Sequence, residues 1–397
     1  MRPRHDVGAA DSERGGWLVI RRLALGVGIA TAAAAGVGWM IARRLTAPVG
    51  PRTFDLTIRG VEHDGSGDLI VLDRTDQTIA VGIYNLWFEH GGWAQLSAEI
   101  IDRGPTRVAR RITGIAPGLT PKTGDRASWS GIYYATPADA GLDARNITIT
   151  TPAGPCPAWR TDGDPATWAI HIHGLGSTRA GTLRGVLAAA ELGYTSLVVS
   201  YRNTAEGPRE GTGHSTLGDA ETIDVDEAIG YAVRRGAQRI VIFGWSMGAA
   251  IALQLADQPR HEGLIAALVL DSPVLNWTGV IKTNCARSGL PAAAGHLAIP
   301  WLTLAPLARA VGLPGRIPLR SFDWTARTAD LATPTLVLHG TRDDSAPIRL
   351  SQALRDARPD LIELETFDAG HTLCWNACPD RWHMSVTTWL SARRDPP

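Results

Sequence analysis

One serine stands between two glycines at a point where the residue pattern changes. Residues 239–243 read RIVIF, residues 244–248 read GWSMG, and residues 249–257 read AAIALQLAD. This pattern predicts a strand, a sharp corner and a helix. Glycine on both sides of Ser246 removes the Cβ groups that would collide in such a corner, and the hydroxyl is left near a helix N-terminus that favours negative charge. A serine in this setting is suited to attack a carbonyl carbon.

A serine hydroxyl is a weak nucleophile unless a base removes its proton and an acid orients that base. The elements that would position such partners begin at about residue 145. Apolar strand patterns start at residues 146, 168, 196, 239, 266, 334 and 361, and helix-period segments cover 181–192, 219–235, 247–257, 348–357 and 380–392. This alternation predicts a mainly parallel sheet flanked by helices, with functional groups beyond the carboxyl ends of its strands.

The GWSMG corner, set between a strand and a helix of an alternating α/β chain, resembles the α/β-hydrolase superfamily over about residues 145–392. The segments YRN, GWSMG, LDSPVLNW and HTLCWN are most similar to its bacterial serine-aminopeptidase and esterase-like branch. The resemblance implies the α/β-hydrolase fold and a catalytic triad in the chain order serine, acid, histidine. One departure is Ala249, where many relatives have a second glycine.

The strand PTLVLHG (334–340) is followed by TRDDSAP (341–347). The family commonly shows H-G-x-x-D, a spacer, then a small apolar residue and proline, so the resemblance implies Asp343 as the acid. Asp344 is then expected to be a solvated helix cap. Asp271 is the remaining alternative, because some relatives carry the acid one strand earlier.

The segment FDAGHTLCWN follows the last predicted strand, and its Gly-His pair matches the family position of the base, His371. His339 is expected to have a packing or hydrogen-bonding role. The resemblance also implies an oxyanion hole made of two backbone N–H groups. One is that of Met247, and the other is that of Leu175 in the HGLG turn (173–176).

The N-terminal part of the chain predicts a membrane segment. Residues 23–42 carry no charge, and at about 1.5 Å per residue they span the roughly 30 Å hydrocarbon core. The slight excess of arginine before the span, in residues 1–22, predicts a cytoplasmic N-terminus and an extracytoplasmic catalytic domain. The alternatives are a cleaved signal peptide and a buried helix.

Three further regions complete the predicted organisation. Residues 43–54 contain two prolines and a glycine and predict a linker. Residues 55–140 contain short strand patterns and predict a β-rich accessory region without catalytic residues. Within the hydrolase domain, 145–397, the apolar stretch 274–325 predicts a helical cap insertion, or alternatively a long crossover.

Composition limits the partners of the protein. The 397 residues carry 39 basic and 39 acidic side chains, and this balance argues against a nucleic-acid partner. The spacing of Cys156, Cys285, Cys374 and Cys378 fits no zinc motif, and no cofactor or metal is predicted. Cys374 and Cys378 would suit a local disulfide, and buried free thiols are the alternative. Arg202 is expected to form a structural ion pair rather than to bind a substrate carboxylate.

Together these features predict a membrane-anchored serine hydrolase that cleaves an ester or related acyl bond of a small or lipid-like substrate. In this hypothesis Ser246 attacks, His371 transfers the proton and Asp343 orients His371. An acyltransferase, thioesterase or peptidase with the same triad is one alternative. A non-catalytic scaffold or binding protein with the same fold is the other.

Overall fold

The computed structural model describes the backbone of residues 8–393 and, within that range, the side chains of all residues except 8–24 and 27. The α-helices are α1 (Gly8–Leu45), α2 (Leu183–Glu191), α3 (Asp219–Val233), α4 (Met247–Ala256), α5 (Trp277–Arg287), α6 (Ile299–Thr303), α7 (Ala305–Val311), α8 (Ile348–Ala357), α9 (Cys374–Ala377) and α10 (Pro379–Ser391). The first seven strands are β1 (Leu56–Thr57), β2 (Gly60–Asp64), β3 (Gly67–Asp73), β4 (Tyr84–Phe88), β5 (Trp93–Asp102), β6 (Arg107–Ile115) and β7 (Arg126–Ser130). The other strands are β8 (Ala144–Thr151), β9 (Gly154–Thr161), β10 (Asp164–Ile172), β11 (Tyr194–Val199), β12 (Arg239–Trp245), β13 (Ile265–Asp271), β14 (Thr335–Gly340) and β15 (Ile362–Phe367).

The larger sheet has the order β15-β14-β13-β12-β10-β11-β9-β8. Its strands from β11 to β15 run parallel, and β9 and β8 are antiparallel additions at one edge. Strand β12 is near the centre, and alternate residues face two apolar layers, with Ile240 and Ile242 on one side and Val241 and Phe243 on the other. Helices α3, α4 and α8 cover the first side and α2, α9 and α10 the second. This is the doubly covered parallel sheet that the alternating sequence predicted.

The smaller sheet has seven strands in the order β1-β7-β4-β5-β6-β3-β2, and its pairs are antiparallel. One face is buried, and Leu72, Leu86 and Leu96 contribute to its core. This sheet agrees with the predicted β-rich unit. We call the segment that carries it, residues 55–140, the accessory unit.

Asn376 joins the accessory unit to the larger sheet. Its Nδ2 donates to the backbone oxygens of Ile83 (2.8 Å) and Gly131 (3.0 Å), and its backbone oxygen accepts from the N–H of Ile83 (2.9 Å). Its Oδ1 accepts from Nη1 of Arg184 (3.0 Å). A fully buried amide with all of these partners fixes how the two parts of the chain pack.

Replacement of this amide is expected to destabilise the protein. Asn376→Ala removes three side-chain hydrogen bonds and leaves buried partners unpaired, so we expect the free energy of unfolding to fall by about 2–4 kcal/mol. The matched control is Asn146→Ala, because Asn146 is exposed and accepts one bond from Trp159; it should cost less than about 1 kcal/mol. Urea unfolding of the three proteins measures both values, and equal losses would contradict the role of Asn376.

Helix α1 extends beyond the predicted span 23–42, and its last turns pack on protein. Gly38 lies so close to the backbone oxygen of Leu297 that a Cβ would collide with it, and Ala42 is buried in the main core. Trp39 Nε1 donates to the backbone oxygen of Ala310 (3.0 Å), and Arg43 Nη1 donates to that of Val311 (3.0 Å). This end of α1 therefore contacts the segment between β13 and β14, which contains α5, α6 and α7.

No helix formed by the described residues is both long and apolar enough to cross a membrane. The transmembrane helix predicted for 23–42 is therefore not confirmed, and residues 23, 24 and 27 of that range lie outside the described side chains. The structure differs from the prediction at the C-terminal end of α1, where Gly38 and Ala42 pack against protein instead of facing lipid. All four cysteine thiols are free, with Cys156, Cys285 and Cys374 buried and Cys378 exposed.

Candidate active site

Ser246 occupies a strained corner between β12 and α4. Its backbone has φ 51° and ψ −112°, in the left-handed half of conformational space that residues with a Cβ rarely adopt. A Cβ on Gly248 would collide with the backbone oxygen of Ile172, and a Cβ on Gly244 would collide with the backbone of Ala249. The two glycines therefore allow the close packing that holds Ser246 in this conformation at the carboxyl edge of the sheet.

The structure brings Ser246, His371 and Asp343 together. The Ser246 Oγ lies 2.9 Å from Nε2 of His371, and Nδ1 of His371 lies 2.7 Å from Oδ2 of Asp343. Because an ionised carboxylate can only accept, Nδ1 of His371 carries the hydrogen and Nε2 is the acceptor for the serine hydroxyl. The three side chains, which come from the ends of three different strands, form one continuous hydrogen-bonded chain.

The side chain of Asp343 is fully buried and held by several donors. Its Oδ1 accepts from the backbone N–H of Ser345 (2.9 Å) and Ala346 (2.8 Å), and His339 Nε2 lies 3.2 Å from its Oδ2. Burial opposes the charged form, but hydrogen bonds with His339 and His371 outweigh it and hold the pKa of Asp343 well below its usual range. The carboxylate is therefore charged at neutral pH.

The two other carboxylates that the sequence suggested lie elsewhere. Asp344 is exposed and pairs with Arg287. Asp271 is buried at the end of β13, where it accepts from Trp382 Nε1 (3.0 Å) and from the Ser272 hydroxyl (3.2 Å), and burial raises its pKa. In the described residues, His371 makes its carboxylate contact with Asp343.

The loop that carries His371 is tied to the sheet by Ser272. The backbone N–H of Thr372 donates to the Ser272 hydroxyl (2.9 Å), and both residues have positive φ, 56° and 51°. These strained residues stand directly beside His371 and Asp271. The sequence contains no pattern that indicated this contact.

Two backbone N–H groups stand near Ser246. Met247 is the first residue of α4, so its N–H has no partner in a preceding helical turn. The N–H of Leu175 donates no hydrogen bond within the described residues. The turn that carries Leu175 is held by Tyr201, whose hydroxyl donates to the backbone oxygen of His173 (2.7 Å). Both groups are available to a negatively charged oxygen.

A pocket of about 160 Å³ opens beside Ser246 and His371. Leu175 and Leu373 line it, together with Gly131 and Ile132 of the accessory unit. The sequence predicted no functional residue in 55–140. Sequence reasoning missed these two because they belong to the site only through the packing around Asn376.

Two buried arginines differ in their partners and in their position relative to the pocket. Arg202 forms a buried ion pair with Asp224 (2.7 Å) and also contacts Glu210, so it serves as the structural ion pair that the sequence favoured. Arg184, which sequence reasoning missed, lines the pocket itself. Its only sequence signal is a charge within the small-residue helix segment 181–192, and this signal does not distinguish a pocket residue from a surface one.

The arrangement has the parts that acyl transfer needs. A hydroxyl is in contact with an imidazole acceptor, the imidazole is oriented by a charged carboxylate, and two N–H groups and a pocket lie beside the hydroxyl. The described residues include no group of three or more histidine, cysteine, aspartate or glutamate side chains placed to hold a metal ion.

Two family models match the chain. Residues 169–383, more than half of the sequence, match the model of the alpha/beta hydrolase family, and residues 57–130 match a domain of unknown function. The second match coincides with the sheet of the accessory unit. The hydrolase model covers the positions of Leu175, Ser246, Asp343 and His371.

The chain is also similar to individual proteins. Uncharacterised proteins from two Mycobacterium tuberculosis strains, CDC 1551 and H37Rv, are each 30% identical over 183 residues, which are 44% of this chain and 52% of each relative. The chain therefore spans about half the length of the curated relatives it matches. Two crystal forms of the Pyrococcus furiosus esterase Pf2001 superpose with TM-scores of 0.51 and 0.52 at 20% identity. Each alignment covers 66% of this chain, and 97% or 95% of the esterase, and it shows a shared fold.

Proposed function

This chain belongs to the alpha/beta hydrolase family, and from that premise we propose that it is a serine hydrolase that cleaves a carboxylic ester. The observation that carries the proposal is the contact of Ser246 with His371 (2.9 Å) and of His371 with Asp343 (2.7 Å). The likeness to a solved structure described as an esterase supports the choice of an ester over other acyl compounds.

In the proposed first step, Ser246 Oγ attacks the ester carbonyl while His371 Nε2 takes the hydroxyl proton. Asp343 accepts from Nδ1–H of His371 and stabilises the imidazolium that forms. The negative charge on the former carbonyl oxygen is held by the N–H groups of Leu175 and Met247, because such donors stabilise the tetrahedral intermediate more than the ground state. The intermediate collapses, His371 protonates the leaving alkoxide, and an acyl-serine and an alcohol are formed.

In the second step, water replaces the alcohol in the same site. His371 takes a proton from the water, the resulting nucleophile attacks the acyl-serine, and the Ser246 oxygen leaves with the proton that His371 returns. The products are a carboxylic acid and the free enzyme. An acceptor alcohol in place of water would give acyl transfer through the same atoms.

Covalent labelling tests this proposal directly. A fluorophosphonate probe should modify the folded protein at neutral pH, and peptide mass mapping should place the adduct on Ser246. No labelling of the folded protein would contradict the proposal and favour a non-catalytic binding role. Measuring released acid against ester formed with an added alcohol then distinguishes hydrolysis from transfer.

The size of the pocket supports a short acyl or alcohol group. About 160 Å³ is close to the roughly 150 Å³ of a protein cavity that holds one benzene molecule. Ile132 of the accessory unit forms one wall of this space. We therefore propose that the accessory unit limits substrate length.

Shortening this wall should change the preference for chain length. Ile132→Ala removes three carbon atoms, so we expect the ratio of kcat/KM for 4-nitrophenyl octanoate to that for 4-nitrophenyl acetate to rise about tenfold, as extra methylenes become accommodated. The matched control is Ile115→Ala on the same unit, because Ile115 is exposed and outside the pocket. An unchanged ratio in Ile132→Ala, or an equal rise in the control, would contradict this role.

We also propose that α1 attaches the protein to a membrane, with the hydrolase domain outside the cytoplasm. The uncharged run 23–42 and the exposed Leu25 and Ile29 support this proposal. The test is to fractionate cells that express either the full chain or a variant lacking residues 1–35, and to compare how much of each protein is in the membrane and soluble fractions. Equal amounts of both proteins in the soluble fraction would contradict it.

A further inference from the structure

The guanidinium of Arg184 lies in the pocket beside Ser246 but has no part in the proposed proton transfers. Arg184 is on α2 and only 7% of its surface is exposed. Its Nη1 donates to Oδ1 of Asn376 (3.0 Å), and its Nε is buried without a partner. Its Nη2 makes no hydrogen bond in the described part of the chain and, unlike Nε, is not completely buried, and Arg184 lines the pocket. One donor of a buried cation therefore remains available to a ligand.

The other buried arginines have more partners. Arg202 pairs with Asp224 and Arg179 with Glu206. Arg110 donates to four backbone oxygens, those of Thr78, Ala80, Gly82 and Ser97. Among the described residues, Arg184 is the buried arginine with a single hydrogen-bond acceptor and no ion pair.

The carboxylate that acts electrostatically on Arg184 already has hydrogen-bond partners. Asp271 attracts Arg184 electrostatically, but its two oxygens accept from Trp382 and Ser272. Burial lowers the pKa of Arg184 and raises the pKa of Asp271, because the dry surroundings disfavour both charges. A buried cation without a contacting anion is unfavourable. An anion that entered the pocket and bound to Arg184 would reduce the energetic cost of burying this cation.

The position of Arg184 is fixed by its neighbours. The Trp245 ring lies 5.5 Å from its guanidinium carbon, and Asn376 holds Nη1. Trp245 precedes Ser246 in the chain, so one short backbone segment carries both the ring beside the cation and the hydroxyl. Both residues line the same pocket of about 160 Å³.

We propose that Arg184 binds the carboxylate of ester substrates that carry a second, anionic group a few bonds from the scissile ester, such as half-esters of short dicarboxylic acids. This inference rests on the proposed ester hydrolysis. The carboxylate accepts from Nη2 of Arg184 while the ester carbonyl lies against Ser246. A charge-assisted hydrogen bond in a buried site is expected to favour the anionic ester by about 10- to 100-fold over its neutral analogue.

The test compares methyl hydrogen succinate with dimethyl succinate, using the full chain and measuring methanol release per ester group. We expect wild-type kcat/KM to be at least about tenfold higher for the anionic ester. Arg184→Gln should reduce this ratio to about one or below, and Arg184→Lys should recover part of it because it keeps the charge. The matched control is Arg179→Gln, a buried arginine outside the pocket lining, which should keep the wild-type ratio.

A second measurement does not depend on the folding of a variant. Succinate should inhibit hydrolysis of dimethyl succinate by the wild-type enzyme competitively, and at least tenfold more strongly than neutral succinamide. Acetoxyacetic acid places the charge on the alcohol side of the ester instead, and its methyl ester is the neutral member of this pair. A preference for the charged member of either ester pair supports the inference and identifies the side of the ester that faces Arg184.

The outcomes separate this inference from the function on which it rests. Hydrolysis of dimethyl succinate and labelling of Ser246, without preference for either charged ester, would overturn the role of Arg184 and leave ester hydrolysis intact. A preference that persists in Arg184→Gln would also overturn it. Absence of both labelling and hydrolysis would instead overturn the proposed function.

Discussion

Ser246→Ala is expected to lower kcat for an activated ester such as 4-nitrophenyl acetate by about 10⁶-fold. The loss is large because His371 and Asp343 act only through the hydroxyl that this change removes. The alanine keeps a Cβ and adds no bulk, so the strained corner between β12 and α4 should remain folded. Fluorophosphonate labelling should disappear together with the activity.

The matched control for this prediction is Ser177→Ala. Ser177 lines the same pocket, but its hydroxyl lies near the backbone oxygen of Thr178 (3.5 Å) and has no contact with His371. We expect kcat of this variant to stay within about tenfold of the wild-type value, because only one weak polar contact in the pocket is lost. Retention of more than a few per cent of activity by Ser246→Ala, with an unchanged melting temperature, would exclude Ser246 as the nucleophile.

Asp343→Asn is expected to lower kcat by about 10⁴-fold, because it changes which nitrogen of His371 carries the hydrogen. The amide oxygen can still accept from the N–H groups of Ser345 and Ala346, which turns its NH₂ group towards His371. Nδ1 of His371 must then accept, and its hydrogen moves to Nε2. The ring can no longer take the Ser246 proton, although the geometry is preserved.

Two matched variants distinguish Asp343 from the other carboxylates. Asp344→Asn changes an exposed side chain that pairs with Arg287, so we expect an effect below about twofold. Asp271→Asn changes a buried group without contact to His371 and should affect stability more than kcat. A larger loss of kcat in either variant than in Asp343→Asn, at unchanged stability, would identify that carboxylate as the acid in place of Asp343.

The fold was predicted well where the signal is local. The apolar runs that form β10 to β15 and the helices between them follow from side-chain periodicity, which depends on a few neighbouring residues. The GWSMG corner is equally local, because glycine is needed where the backbone approaches Ile172 and Ala249. The choice of Asp343 over Asp344 and Asp271 needed the resemblance to a family, since periodicity alone treats these carboxylates alike.

The N-terminal helix shows where composition is not sufficient. Residues 23–42 have the composition of a membrane span, and composition does not reveal what lies beside a helix. Gly38 and Ala42 pack against protein because their small side chains fit the surface formed by Leu297 and its neighbours. Small residues are compatible with lipid and with close helix packing, so only the tertiary contacts distinguish the two.

By itself, the sequence determined the strand–corner–helix around Ser246 and the alternating sheet that carries it, and the resemblance to a family pointed to His371 and Asp343 as its partners. Only the tertiary structure decided the contact distances, the pocket wall formed by Ile132, and the single-partner Arg184 beside the hydroxyl. The physical reason is separation along the chain. Asn376 binds Ile83 across 293 residues, and no short-range pattern records which distant surfaces will pack together.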